Sequence, residues 1–432
     1  MSMMTRSMVM LALSLPWSVG TTDNGAMNFL SHRSAQEIVW AGLLCAVTCL
    51  GCDGEVVDRS VKDASVASGD AHLLDADLDD AGEADVEGMG GADGTASATV
   101  DAGADEMRSD SEAPGDTSVP TEAHRLDDEL TLKDVQALGT HNSYHIQPEI
   151  PLDAWAYTHL PLDEQLGEQG VRQFELDIYY DVDRGGFDVY HIFAIDQETT
   201  CETLSDCLMT LKSWSDGHRA HHPLLILIEV KGFNPEARHS ELLRDLERVI
   251  LSAWTWERIL HPDIVQRDAD NLRDAIQTRG WPSLGSVRGR AMFVLHDGGG
   301  LRSVYTEDQT TTSGRVLFPD SYGDIDSPVA AYHSINNPLS GFDRIQEVVR
   351  AGHLVRTRAD ADSQQATAVD YRQFEAALGS GAHFISTDYP FPGDAERYGV
   401  TIPDGSPSRC NPLVAPAMCR SLDIEDPALV SP

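Results

Sequence analysis

Residues 224–231 read Leu-Leu-Ile-Leu-Ile-Glu-Val-Lys. Five consecutive aliphatic residues without alternation are typical of a parallel strand that is covered on both faces. Glu229 and Lys231 close this run, and because strand side chains alternate, both point to the same face. A carboxylate in a buried strand is costly without a cation. The segment therefore predicts a parallel sheet with a polar site at the edge where this strand ends.

Similar apolar runs recur before and after this segment and alternate with amphipathic stretches. We interpret eight runs as strands: Val135–Leu138, Gln173–Tyr180, Phe187–His191, Leu224–Val230, Ala291–Leu295, Ala330–His333, His353–Arg358 and His383–Thr387. Helical patterns between them include Leu162–Glu168, Glu236–Ser252, Phe342–Ala351 and Tyr371–Leu378. This alternation predicts an α/β fold, a closed (β/α)8 TIM-type barrel over residues 126–405.

Polar residues stand where several of these strands end, which is where such barrels carry out chemistry. They are His141 and Asn142 after the first strand, Glu175 and Asp177 in the second, His191 at the end of the third and Glu229 in the fourth. Each carboxylate alone would suit a structural salt bridge. Three carboxylates and an amide at one barrel mouth are a set of hard oxygen donors, which favours Ca²⁺ or Mg²⁺ over zinc.

These six residues, separated by 1, 33, 2, 14 and 38 positions, resemble the catalytic series of the calcium-dependent phosphoinositide-specific phospholipases C. The surrounding text is similar to the bacterial, single-domain branch of that family of PLC-like phosphodiesterases. It reads Leu-Gly-Thr-His-Asn-Ser-Tyr-His at 138–145, Val-Arg-Thr-Arg-Ala-Asp at 355–360 and Phe-Ile-Ser-Thr-Asp-Tyr-Pro at 384–390. The resemblance covers about residues 130 to 400.

The resemblance implies a role for each of these side chains. Asn142, Glu175, Asp177 and Glu229 would bind one Ca²⁺, and Glu175 would accept the proton of the attacking inositol hydroxyl. His191 would protonate the departing diacylglycerol oxygen, while His141 would stabilise charge on the phosphoryl group. The phosphate and the inositol hydroxyls would be held by Lys231, Arg356, Arg358 and Asp388. The expected substrate is a membrane phospholipid of the phosphatidylinositol class, cleaved to diacylglycerol and a cyclic inositol phosphate.

Two other functions compete with this interpretation. A glycerophosphodiester phosphodiesterase uses a similar barrel, but that family normally carries Arg after its first catalytic histidine, where this chain has Asn142. A catalytically silent surface lipoprotein that binds inositol lipids needs neither an acid nor a phosphoryl stabiliser. The presence of both His141 and His191 argues against it.

The chain is strongly acidic, with a formal net charge of -39 over 432 residues, which excludes direct nucleic-acid binding. Much of this excess lies in residues 53–125, a stretch with abundant Ala, Gly and Ser and no Phe, Trp or Tyr. Such a segment cannot bury enough apolar surface to fold and predicts an extended, self-repelling linker.

The first 52 residues resemble a bacterial lipoprotein signal. An apolar run, Ile38–Leu50, ends at Cys49-Leu50-Gly51-Cys52, which makes Cys52 the expected lipidation site. An uncleaved anchor or a plain secretory signal would fit the same run, and translation starting at Met27 is an alternative beginning. All versions predict an exported enzyme, and the lipoprotein version, which we favour, adds a lipid anchor that links it to the membrane. We expect it to act as a monomer.

Four cysteines remain beyond the signal, and an exported enzyme with an even number favours disulfides. Proximity in sequence pairs Cys201 with Cys207 and Cys410 with Cys419. The second pair would staple residues 406–432, a C-terminal tail outside the barrel.

Overall fold

The computed structural model describes residues 124–150, 152–232, 234–390, 397–405, 407–426 and 428. The expected signal region 1–52, its Cys52 and nearly all of the acidic linker lie outside the described residues.

The described residues form a parallel barrel. The strands are β1 Val135–Thr140, β2 Gln173–Asp181, β3 Gly186–Val189, β4 Leu224–Lys231, β5 Ala291–Leu295, β6 Leu317–Pro319, β7 Tyr332–Ser334, β8 Leu354–Arg358, β9 Phe384–Thr387 and β10 Ser408–Cys410. Eight of them follow the order β6-β5-β4-β2-β1-β9-β8-β7. A parallel bridge between Asp320 and Tyr332 joins the two end strands. The predicted eight-stranded barrel is therefore confirmed.

One predicted barrel strand, Phe187–His191, is wrong. The chain there forms β3, which pairs antiparallel with the end of β2, with Ile178 opposite Val189 and Asp181 opposite Gly186. The connection between β2 and β3 is too short for the crossover that a parallel neighbour requires, so a hairpin is the only outcome. The eighth barrel position belongs to β6, whose three residues are too few to show a pattern in sequence.

Helices fill most of the gaps between barrel strands. The α-helices are Leu162–Gly167, Leu204–Gly217, His239–Ala253, Pro262–Gln266, Leu272–Arg279, Leu284–Val287, Gly300–Tyr305, Phe342–Arg350, Gln364–Ala368, Arg372–Ser380 and Ser421–Ile424. Short 3₁₀ turns occur at Leu132–Asp134, Asp153–Trp155, Glu236–Arg238 and Trp256–Arg258. No helix in the described ranges is long and apolar enough to cross a membrane.

Alternation along the strands divides the core into two layers and positions the site. In β4, Ile226 and Ile228 belong to the outer cluster, which contains residues of the Leu204–Gly217 and His239–Ala253 helices, whereas Leu225 and Leu227 belong to the inner cluster with Val294 of β5 and Phe384 of β9. Glu229 and Lys231 continue the inward series, so they emerge at the mouth of the barrel. The same alternation turns Gln173, Glu175 and Asp177 of β2 inward, because Phe174, Leu176 and Ile178 belong to the outer cluster.

The C-terminal segment packs against the opposite end of the barrel. Strand β10 pairs antiparallel with the start of β1, with Val135 opposite Cys410. Glu425 is fully buried and forms an ion pair at 2.6 Å with the equally buried Arg172, which immediately precedes β2. The segment expected to be a tail outside the barrel is thus joined to it by a strand and a buried ion pair.

Both disulfides have the pairing expected from the sequence, Cys201 with Cys207 and Cys410 with Cys419. Because such bonds persist in oxidising compartments, they indicate an exported protein.

Candidate active site

The loop after β1 presents His141 and Asn142 at the mouth. Asn142 is buried and has a φ of 43°, a left-handed conformation that Asn tolerates, so the chain turns sharply there. The His141 side chain remains 21% exposed, and its Nδ1 is hydrogen-bonded at 2.8 Å to Oδ1 of Asp388, which directly follows β9. His159 Nε2 donates to the His141 carbonyl at 2.9 Å. The ring is therefore held from two sides and can still be reached from solvent.

The protonation of this pair follows from its burial. Desolvation and the neighbouring Arg358 hold the pKa of His141 well below its usual value. Desolvation raises the pKa of Asp388, despite the opposing effect of Arg358. The lowered pKa of His141 favours a neutral imidazole, and when Asp388 carries the shared proton, Nε2 of His141 is an N–H donor.

Three carboxylates from two neighbouring strands meet in the same mouth. Glu175 and Asp177 come from β2, and Asp177 lies opposite Glu229 of β4 in the parallel register. The Lys231 ammonium is hydrogen-bonded to Glu229 and lies 3.5 Å from Asp177. The structure thus brings oxygens of Glu175 and Glu229 within 4.8 Å of each other, whereas Asp177 lies opposite Glu229 but outside that group.

The buried Arg356 side chain forms an ion pair with Glu175. Its side chain is 1% exposed, and all three of its nitrogens have partners: Nη2 donates to Glu175, Nη1 to Asn336 Oδ1 at 2.6 Å and Nε to Ser386 Oγ at 2.6 Å. A guanidinium committed in this way positions the carboxylate. Arg356 was expected to hold substrate, and in the structure its three nitrogens are engaged by protein side chains.

The surroundings of Asp177 show whether the site fits a cation. Both carboxylate oxygens are buried and accept no hydrogen bond from the described residues. Burial raises the pKa of Asp177 to about 8 even though Lys231 acts to lower it. A buried carboxylate without donors beside Glu175 and Glu229 is satisfied by a hard divalent cation, so these residues fit Ca²⁺.

A further residue at the mouth, His296, was missed by the sequence analysis. It follows β5 directly, and one of its ring nitrogens lies within 4.8 Å of carboxylate oxygens of both Glu175 and Glu229. Nδ1 is hydrogen-bonded at 2.8 Å to Oδ2 of the buried Asp320. Burial lowers the pKa of His296, but Asp320 and the mouth carboxylates outweigh this and raise it to about 9. The signal was present, because the rule that found His141 also applies to the residue after β5.

His191 lies in the loop after β3, not at the end of a barrel strand. Its Nδ1 is hydrogen-bonded at 2.8 Å to Oδ2 of Asp196, and the same buried carboxylate is bonded by Nε2 of His145 at 2.9 Å. The Tyr179 hydroxyl donates to the His191 carbonyl at 2.8 Å. Asp196 therefore fixes the ring and leaves Nε2 as its free nitrogen, although sequence gave no sign of this partner.

The remaining candidates also lie at the mouth. Asp388 is bonded to His141 and, at 3.3 Å, to Nη2 of Arg358. Arg358 is 13% exposed, and its buried Nε has no hydrogen-bond partner among the described residues. Lys231 is 30% exposed. Lys231 and Arg358 are thus the basic candidates within reach of a substrate.

A parallel barrel whose mouth combines a cation site with two carboxylate-oriented histidines defines a class of metal-assisted acid–base enzymes. The family model described as "Phosphoinositide phospholipase C, Ca2+-dependent" matches residues 130–188 and 182–412. The chain belongs to this family and is a calcium-dependent phosphoric diester hydrolase.

Two solved structures are similar in fold at low identity. One is the apo form of the calcium-dependent phosphoinositol-specific phospholipase C from Pseudomonas sp., 14% identical with a TM-score of 0.46 over 64% of this chain and 96% of that one. The other is the Ca²⁺-dependent phosphatidylinositol-specific enzyme from Streptomyces antibioticus, 17% identical with a TM-score of 0.45 over 60% and 94%. A search of curated protein sequences found no match.

Proposed function

We propose that the chain cleaves phosphatidylinositol, or a related inositol lipid, to diacylglycerol and a cyclic inositol phosphate. The observation that carries this proposal is the pair of mouth histidines. Each is oriented through Nδ1 by a buried carboxylate, and the strands that precede them, β1 and β3, both pair with β2, the strand of Glu175 and Asp177. A ring-closing cleavage needs a proton removed from the attacking hydroxyl and one delivered to the leaving oxygen, and this mouth has groups for both.

We assign Asn142, Glu175, Asp177 and Glu229 as the protein ligands of Ca²⁺. When bound there, the ion would polarise the phosphate and lower the pKa of the attacking inositol hydroxyl. Glu175, held by Arg356, accepts that hydroxyl's proton. His191 delivers its Nε2 proton to the diacylglycerol oxygen, and Asp196 stabilises the imidazolium beforehand. His141 donates Nε2–H to the phosphoryl oxygens as their charge grows.

Basic side chains free to bind extra ring phosphates are few among the described residues of the mouth. Arg356 is fully engaged, Lys231 is paired with two carboxylates, and Arg358 is paired with Asp388. This shortage of unpaired basic side chains favours an inositol ring without further phosphates. Arg358 and Lys231 then bind its single phosphodiester.

Exposed apolar side chains beside the mouth suit a substrate that sits in a membrane. Ile150 and Leu152 lie in one loop, with exposed fractions of 87 and 56%. Phe193 and Ile195 lie in a second loop, with exposed fractions of 62 and 49%. The loops are neighbours, because Ile146 donates its N–H to the Glu198 carbonyl and Trp155 packs edge-on against His191. Apolar groups at such a rim enter a lipid surface readily.

We also propose that Cys52 is lipidated and that residues 53–125 tether residues 126–405 to the membrane as an extended linker. With this arrangement, Cys52→Ser releases the enzyme from the membrane fraction with unchanged specific activity. Retention of the variant in membranes would argue for an uncleaved anchor instead.

The function is tested by offering the enzyme phosphatidylinositol vesicles and glycerophosphoinositol separately and identifying products by phosphorus NMR. We expect a cyclic inositol phosphate from the lipid and little reaction with the deacylated diester. Consumption of glycerophosphoinositol alone would identify a glycerophosphodiester phosphodiesterase. Binding of vesicles without any product would identify a silent lipid-binding protein.

A further inference from the structure

His296 is held in one orientation by a fixed carboxylate. Oδ2 of Asp320 takes Nδ1 of the ring, while Oδ1 accepts the backbone N–H of Tyr322 at 2.9 Å and of Ser334 at 3.0 Å. The Tyr322 ring packs beside the imidazole, with ring centroids 5.4 Å apart. Asp320 is fully buried, so the carboxylate cannot swing away and the free Nε2 has a defined direction.

That direction places a nitrogen among the mouth carboxylates. One ring nitrogen of His296 and one oxygen each of Glu175 and Glu229 lie within 4.8 Å of one another. Because Nδ1 is engaged by Asp320, Nε2 is the nitrogen available to this group. Three ligand atoms this close to one another can hold a single divalent cation.

An imidazole whose other nitrogen bonds a carboxylate is the usual form of a histidine metal ligand. Ca²⁺ takes oxygen ligands, whereas first-row transition ions such as Mn²⁺, Co²⁺ and Zn²⁺ also accept imidazole. We propose that His296 is a nitrogen ligand at the Glu175 and Glu229 site, and that this mouth therefore holds a first-row transition divalent cation in competition with Ca²⁺. The proposal rests on the metal site assigned under the proposed function.

The test is direct cation binding to the full chain, stripped of metals, with Co²⁺ as the probe. Visible absorption reports Co²⁺ coordination and calorimetry reports Ca²⁺ affinity, both without substrate. His296→Ala should weaken Co²⁺ binding at least about 10-fold while changing Ca²⁺ affinity less than about 3-fold, because only the softer ion gains from the nitrogen. Asp320→Asn should weaken Co²⁺ binding about 10-fold through misorientation of the ring.

His218→Ala is the matched control, since His218 bonds a backbone carbonyl at the end of the Leu204–Gly217 helix and should leave Co²⁺ binding unchanged. His296→Gln, which keeps a polar side chain, should reproduce the Co²⁺ loss if His296→Ala fails to fold. Equal Co²⁺ affinity and spectra in wild type and folded His296 variants would overturn the proposal and leave His296 as a cationic neighbour of the carboxylates. Glu229→Gln separates failure of this proposal from failure of the assigned metal site, because it should weaken both Co²⁺ and Ca²⁺ binding at least about 10-fold. If it weakens neither, the assigned metal site itself is wrong.

Discussion

His141 and His191 are each bonded to a carboxylate, but their assigned tasks differ and can be separated by the leaving group. A general acid matters most when the leaving oxygen is a poor one, and the diacylglycerol alkoxide is poor. His191→Ala should therefore lose about 10²-fold or more in kcat/KM on phosphatidylinositol, but much less on a nitrophenyl inositol phosphate. His141→Ala should be impaired on both, because phosphoryl charge develops with either leaving group.

Rates for both substrates, with His218→Ala as the control, check this prediction. Rescue of His141→Ala and not His191→Ala by the nitrophenyl substrate would reverse the two roles. Rescue of neither would place the acid elsewhere.

Single residues also show the limit of reading a site from sequence. Local rules found Glu175, Asp177 and Glu229, because a charge in a buried strand is anomalous wherever it occurs. Sequence did not reveal the partners that orient the site carboxylates and histidines. Asp388 reaches His141 across 247 positions, Arg356 reaches Glu175 across 181, and Asp196 gives no sign in sequence that it binds a histidine. The first two contacts depend on barrel closure, which no local pattern encodes, whereas Asp196 lies only five positions from His191 and meets it through the fold of one loop.

At the scale of elements, strand prediction succeeded where a run was long and strongly apolar, as in β4, and failed where pairing decides the outcome. Residues 186–189 have the composition of a strand, but their partner and direction follow from the short connection to β2. Strand β6 exists because β5 and the closing barrel offer it a place, not because Leu317–Pro319 have strong propensity. The prediction that His191 ends a barrel strand failed because β3 pairs antiparallel with β2 and is not part of the barrel.

The C-terminal segment should contribute to stability through the buried Arg172–Glu425 pair. Burial alone would raise the pKa of Glu425, but Arg172 and His222 lower it to about 2. Since this folded-state pKa is depressed, the stabilisation is complete above the ordinary glutamate value and is lost as the pH falls from there to about 2. Glu425→Gln should cost about 3–5 kcal/mol of unfolding free energy at neutral pH, because it leaves the Arg172 charge buried.

Denaturant unfolding of Glu425→Gln measures this cost. The control is Glu307→Gln, which removes a 67% exposed carboxylate lying 3.7 Å from Arg315; its loss should stay within about 1 kcal/mol. Equal stability of the two variants would show that the buried pair does not hold the segment.

At the scale of the described barrel, the proposed metal site and the proposed substrate surface lie at one end, while the C-terminal segment packs against the other. Sequence was a good guide to the cross-links, because the cysteine spacing predicted both disulfides. What composition lacked was the packing of residues 408–425 on the barrel, because a three-residue strand and a buried ion pair leave no periodic trace.

The most direct test of the central claim is turnover of phosphatidylinositol vesicles as a function of free Ca²⁺, measured for wild type and Glu229→Gln. We predict that wild-type activity is absent in excess chelator and returns fully and saturably with Ca²⁺. The variant should need at least about 10-fold more Ca²⁺ for half-maximal rate, because it lacks one anionic ligand. Full wild-type activity in excess chelator would contradict the claim, and an unchanged Ca²⁺ requirement in Glu229→Gln would show that the ion binds away from this mouth.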